Sequence, residues 1–334
     1  MQQITLEAIQ RASERIAGTT RRTPLERSLW LSQETRREVF LKLECLQSTG
    51  SFKLRGAIAC LSSLTDEAKS LGVLTVSAGN HGLAVAYCAE ALGIDARIVV
   101  PRSASRAKVE AIKRYGVELV ECGEDYYEAE RIAREMERET GRVFVSPYND
   151  PQVIAGQGTV ALEMLEEAPD LDAIIVPVGG GGLIAGVAVA AKAINPNIKV
   201  YGAEPAASPT MTRALEAGHL FYVEEEETIA DGLAGNIESE SITFPLTQMF
   251  VDGMVLVSEE AIRKSIAKVA LEDRLIIEGS AAVSIAAISD QRIEGHRVAA
   301  VVTGRNITME LFGQVLSEKQ KPDAERKDCI QSQW

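Results

Sequence analysis

Short apolar runs alternating with helical patterns predict an α/β fold with mostly parallel strands. Three features carry that expectation. The apolar runs are brief and unbroken, as in strands covered on both faces. Several of them end in glycine- or asparagine-containing turns that lead into helical patterns. No fixed-period repeat and no low-complexity linker divides the chain, so a second domain is expected as an insertion.

Taken in order, Leu6, Ile9 and Ile16 give residues 5–17 an amphipathic helical face, which Thr23-Pro24-Leu25 interrupts. Strands are expected at 39–44, 72–77, 96–100, 116–122, 143–146, 173–178, 199–204, 254–257 and 297–303. Helices are expected at 53–64, 103–115, 124–140, 153–168, 183–194, 258–273 and 278–290, and an alanine-rich one follows the turn at 78–82. The expected organisation is a large domain, 1–64 with 148–317, a small inserted domain, 65–147, and a polar tail, 318–334.

The 334 residues carry a net charge of −13, which argues against nucleic-acid or anionic-membrane partners. No apolar run approaches the roughly 18 residues of a membrane span, and the first residues lack a basic-then-apolar leader pattern. The five cysteines are scattered without a CxxC pair, which suits reduced thiols in the cytoplasm. With three histidines in all, no metal site is expected.

The stretch Asp172-Ala-Ile-Ile-Val-Pro-Val-Gly-Gly-Gly-Gly-Leu-Ile-Ala-Gly186 runs from a β-branched strand through Gly179, Gly180, Gly181 and Gly182 into a helix beginning near Leu183. A helix start leaves backbone N–H groups unpaired, and its dipole favours an anion. The turn reads either as a phosphate cradle or as a tight connection that packs helix on sheet. Gly180, Gly182 and Ala185 also fit a dinucleotide fingerprint, with Glu204 near the position of a ribose-binding acid. A nicotinamide dehydrogenase is therefore one rival reading.

In Gln47-Ser-Thr-Gly-Ser-Phe-Lys-Leu-Arg-Gly-Ala57, Lys53 stands at a helix entry. The dipole there, with partial burial, lowers an ammonium pKa, and the neutral amine forms Schiff bases or acts as a base. A solvated surface lysine is the plainer alternative.

Ser-Phe-Lys-Leu-Arg-Gly-Ala, Ser-Ala-Gly-Asn-His-Gly, Val-Ile-Ala-Gly-Gln-Gly-Thr and Gly-Gly-Gly-Gly-Leu occur in that order. Together they resemble the fold type II pyridoxal-phosphate enzymes, in the threonine dehydratase and serine racemase branch, over about residues 5–317. The resemblance implies a tryptophan synthase β-like fold with pyridoxal 5'-phosphate as cofactor and Lys53 as its Schiff-base residue. It implies that Phe52 packs beside the ring, Asn80 bonds the ring hydroxyl, Gly179 to Leu183 hold the phosphate, and Thr303 faces the pyridine nitrogen. Ser77, Ala78, Gly79 and His81 would meet the substrate carboxylate, with Arg305 near the substrate.

Departures from the pattern carry information. Ala78 stands where the racemase form has a serine that protonates the second face of Cα. Arg305, in Thr303-Gly304-Arg305-Asn306, replaces a usual glycine, as in dehydratases of hydroxyectoine breakdown. Glu204 matches the first carboxylate of the racemase cation site, but Thr210 stands where its aspartate would be. Asp231, in the segment behind the ring, reads as a brace or a helix-terminal residue.

The resemblance implies an ammonia-lyase for L-threonine, L-serine or a related 3-hydroxy amino acid, assembled as a homodimer or homotetramer. Alternatives within the fold are an amino-acid racemase and a hydroxyectoine-pathway or 3-hydroxyaspartate dehydratase. A non-catalytic amino-acid-binding protein is a further rival.

Overall fold

The computed structural model describes residues 4–318. Ten strands form two sheets: β1 Leu25–Arg27, β2 Glu38–Lys42, β3 Val73–Val76, β4 Ala96–Val100, β5 Glu118–Glu121, β6 Val143–Phe144, β7 Ala173–Pro177, β8 Lys199–Pro205, β9 Gly253–Val257 and β10 Arg297–Val301. One sheet has six strands in the order β1-β2-β10-β7-β8-β9, and the other has four, β5-β4-β3-β6. All neighbours pair in parallel except β1 and β2, where Leu25 opposes Lys42. Every residue of β7 is buried, as a parallel strand covered on both faces requires.

The core lies on both sides of the larger sheet. One side packs the helices Leu6–Ile16, Lys53–Ser63, Pro151–Glu167 and Gly182–Ile194. Its cluster extends through the Asn80–Leu92 helix into the smaller sheet. The other side packs Glu259–Glu272 and Gly279–Ala287. The Leu6–Ile16 helix turns Ile9, Ala12 and Ile16 inward, and Thr5 caps it by accepting from Ala8 N. Asp150 caps Pro151–Glu167 with two backbone N–H bonds.

Where residues 23–25 were expected only to break a helix, Leu25 opens β1. Three residues are too few for a period-2 signal. The helices Leu29–Thr35, Asp66–Leu71, Thr210–Ala217, Thr243–Phe250 and Met309–Glu318 were not anticipated. Each of them has ten residues or fewer, where periodicity discriminates poorly. Apart from Glu318, the expected polar tail lies outside the described residues. No helix among the described residues is long and apolar enough to cross a membrane.

Candidate active site

The turns that leave the carboxyl ends of β3, β6, β7 and β10 meet where the two sheets adjoin, with the start of the Lys53 helix among them. Phe52 N donates to Thr303 O at 3.0 Å, and Ser51 bridges to Gly304, stitching the lysine turn to the end of β10. Lys53 Nζ lies 5.2 Å from the Phe52 ring centroid and donates to Pro147 O, just after β6, at 2.8 Å. Burial pulls the Lys53 ammonium down to about 8, with the Glu278 carboxylate opposing. Of the two causes expected from the sequence, the helix dipole and partial burial, burial is the one that lowers it here.

A buried ionic cluster anchors the first turn of that helix. Arg55 is fully buried, two residues past Lys53. Its guanidinium donates to both Glu44 oxygens at 2.8 Å and to both Glu163 oxygens at 2.7 Å. Lys42 Nζ, also fully buried, donates to Glu163 Oε2 and Thr23 O at 2.6 Å. Two cations and two carboxylates therefore balance, and forked geometry satisfies them.

Gly181 has φ +85° and precedes the Gly182–Ile194 helix. A Cβ at Gly180 would strike the Tyr148 ring, and one at Gly181 would come within 3.0 Å of the Thr243 side chain. The glycines are thus demanded by the protein's own packing as well as by the turn. Thr243 Oγ1 donates to Gly180 O at 2.7 Å, and Tyr148 Oη accepts from Glu238 N at 3.2 Å. The unpaired N–H groups of the helix start, from Gly181 to Leu183, remain available to an anion.

Gly79 precedes the Asn80–Leu92 helix, and its N–H donates to Ser77 Oγ at 3.1 Å. Ala78 packs against the apolar core and carries no proton donor. His81 Nε2 lies 3.0 Å from Val145 O, so that nitrogen carries the proton and Nδ1 is left an acceptor without a partner among the described residues. Burial, then the charge of Lys53, lowers its pKa to about 3. A neutral imidazole presenting a lone pair does not suit a carboxylate, so the backbone and Ser77 side of the turn is the better anion partner. Thr303 Oγ1 is buried without a partner among the described residues. Arg305 N donates to Gly50 O at 2.9 Å, beside the lysine turn. Its side chain is exposed and makes no hydrogen bond or ion pair among the described residues, and its charge is felt at Cys45.

Sequence reasoning missed Glu278, which the fold places at the centre. Glu278 Oε1 accepts from Asn80 Nδ2 at 2.8 Å, and Oε2 accepts from Asn306 N at 3.0 Å. Asn306 Nδ2 donates to Asn80 Oδ1 at 2.6 Å and to Thr49 O at 3.0 Å. Burial, then the Asp231 charge, pushes the Glu278 carboxyl up to about 7. Asp231 is itself ion-paired with Lys108 of the Arg106–Lys113 helix. The available signal was an acid ending the apolar run Leu275-Ile276-Ile277, directly before a helix.

Glu204 has a different task from either role weighed for it. Its buried carboxylate accepts from Met211 N and Thr212 N at 2.8 Å and from Thr212 Oγ1 at 2.5 Å, closing the start of the Thr210–Ala217 helix. Those three donors occupy the acid that a dinucleotide ribose or a cation would need.

A lysine, a glycine-turn helix start and an orphaned threonine hydroxyl, gathered where two mostly parallel sheets meet, define a pyridoxal-phosphate enzyme of fold type II. The chain belongs to the pyridoxal-phosphate dependent enzyme family, whose model matches residues 16–304. It is 41% identical to the L-threonine ammonia-lyase of Thermotoga maritima, over 94% of this chain and 79% of that one. It is 39% identical to the catabolic L-threonine dehydratase TdcB of Escherichia coli, over 93% and 96%. The solved structure of maize serine racemase superposes with a TM-score of 0.89 at 36% identity, covering 94% of this chain and 97% of that one.

Proposed function

We propose that this chain is an ammonia-lyase that converts L-threonine, L-serine or a close 3-hydroxy amino acid to a 2-oxo acid and ammonia. The observation that carries the reading is Lys53. It is half-buried, with its ammonium pulled down to about 8, within the same cluster as a glycine-turn helix start and a threonine hydroxyl without a partner among the described residues. These residues fit pyridoxal phosphate. The N–H groups at the Gly179–Leu183 turn suit a dianionic phosphate. Thr303 Oγ1 has a proton and no acceptor, so it suits an unprotonated pyridine nitrogen. Asn80 suits the ring hydroxyl, and Phe52 beside Lys53 suits the ring.

When bound, the cofactor supplies the electron sink that makes the Cα proton of an amino acid acidic. Lys53, with its value near 8, is suited to accept that proton and return it. The Ser77–Gly82 turn suits the substrate carboxylate through the Ala78 N–H, the N–H groups of the helix start at Asn80 to Gly82, and the Ser77 hydroxyl. Ala78 has no proton to give to the second face of Cα, so elimination is favoured over racemisation. His81 stays neutral throughout, and its Nε2–H braces the turn on Val145 O. Lobes at 1–64 with 148–317 and at 65–147 form the two walls, and the enzyme works in the cytoplasm as a homodimer or homotetramer.

The test is release of 2-oxo acid from L- and D-threonine, L- and D-serine and 3-hydroxyaspartate, with pyridoxal phosphate present. The expected result is release from L-threonine or L-serine, loss of release in Lys53→Ala, and recovered serine that stays L. Turnover by Lys53→Ala, or racemised serine without oxo acid, would contradict the reading.

A further inference from the structure

The Asn80 amide is held at both ends. Its Oδ1 accepts from Asn306 Nδ2 at 2.6 Å, and its Nδ2 donates to Glu278 Oε1 at 2.8 Å. Nδ2 carries two protons, so one N–H remains without a partner among the described residues. Amide oxygen and nitrogen have nearly the same shape, so only hydrogen-bond partners decide which way the group faces. An ionised carboxylate accepts and never donates, whereas Asn306 Nδ2 donates and never accepts. Both partners select the same orientation. A flipped Asn80 would set its oxygen against the carboxylate and its N–H group against the Asn306 N–H.

We propose that Glu278 is a positioning residue that, together with Asn306, fixes the Asn80 amide so that its free N–H is presented to the ring hydroxyl of the cofactor. The inference rests on the reading of the site given above. Glu278 is itself fixed. Its second oxygen accepts from Asn306 N, its own N–H donates to Gly304 O at 3.1 Å, and a Cβ at Gly304 would collide with its carboxylate. The charged and titratable groups that act on it or feel it are Lys53, Asp231 across from Lys108, and the Cys45 thiol. Once protonated, Glu278 has an O–H that can donate to a flipped Asn80, so the selection relaxes. Glutamine at 278 offers both a donor and an acceptor and relaxes it at every pH.

The experiment is a double-mutant cycle read by cofactor binding. Wild type, Glu278→Gln, Asn80→Ala and the double variant are stripped of cofactor. Each is titrated with pyridoxal phosphate, and Kd is taken from the yellow absorption band. Glu278→Gln is expected to weaken Kd by about tenfold, the scale of one misdirected hydrogen bond to a charged group. It is also expected to lower kcat more than it raises KM. In the Asn80→Ala background the same change is expected to have no further effect on Kd. An unchanged Kd in Glu278→Gln, or an equal loss in both backgrounds, would overturn the proposal. If thermal melting shows Glu278→Gln poorly folded, Asn306→Ala carries the same cycle with the same expected non-additivity. A wild-type protein that takes up no chromophore would remove the proposed function, and this inference with it.

Discussion

Lys53 and Glu278 are the two residues whose charge the fold reshapes most usefully. Glu278 is buried and Lys53 half-buried, and loss of solvent moves them in opposite directions, Lys53 down to about 8 and Glu278 up to about 7. For Glu278 the folded value lies above the unfolded one. Between the two, the native state keeps a proton that the unfolded chain has lost, so stability falls as pH rises through about 7. Glu278→Gln removes that slope. Between pH 6 and pH 8.5 the cofactor-free wild type should lose about 1 kcal/mol relative to the variant. Urea denaturation at the two pH values measures it, and parallel pH curves would contradict it. Lys53 stood out only because its stretch is followed in order by three further motifs; alone, a lysine at a helix entry reads as a solvated one. Glu278 was not legible, since its partner Asn80 lies 198 residues away and nothing local marks the pairing.

At the scale of elements, the Lys53 helix is set by its clamp as much as by its turn. Arg55 joins the Glu44–Leu46 turn to the Pro151–Glu167 helix through Glu44 and Glu163. Arg55→Met would leave two carboxylates facing Lys42 alone, a loss of about 3–5 kcal/mol for an uncompensated buried charge. A lowered melting temperature of the cofactor-free protein is the expected outcome, and an unchanged one would show that the clamp is dispensable. The glycine turn was legible in its place between strand and helix. The Tyr148 and Thr243 side chains crowding it were not, since they arrive from elsewhere in the chain. Strand β7 stood out as an unbroken apolar run, whereas β1 and the short helices carried too few residues to show a period. Glu204 closed a rival reading only once the Thr210–Ala217 helix, unforeseen in the sequence, was seen to use its carboxylate.

At the scale of the molecule, the site belongs to neither sheet alone. Asn80 and Ser77 come from the end of β3, Thr303 and Asn306 from the end of β10, and the glycine turn from the end of β7. Polar contacts tie the two sides: Asn80 with Glu278, Lys108 with Asp231, and Asn236 N donating to Tyr127 Oη at 3.5 Å. Alternating strands and helices predicted the α/β architecture, and the rule that ligands sit at strand carboxyl ends singled out turns that the structure brings together, at 77–82 and 303–306. Which turns face one another depends on strand order, β2-β10-β7 in one sheet and β4-β3-β6 in the other, and strand order is not written in local periodicity. Arg305 shows the same limit. It sits inside a site motif, yet its side chain is exposed and makes no hydrogen bond or ion pair among the described residues.

The central claim is that this convergence serves one lysine. It is tested most directly by loading the protein with pyridoxal phosphate, reducing it with borohydride, digesting it, and locating the pyridoxyl group by mass spectrometry. The account predicts a single labelled residue, Lys53. A label on another lysine, or none on a protein that has turned yellow, would contradict it.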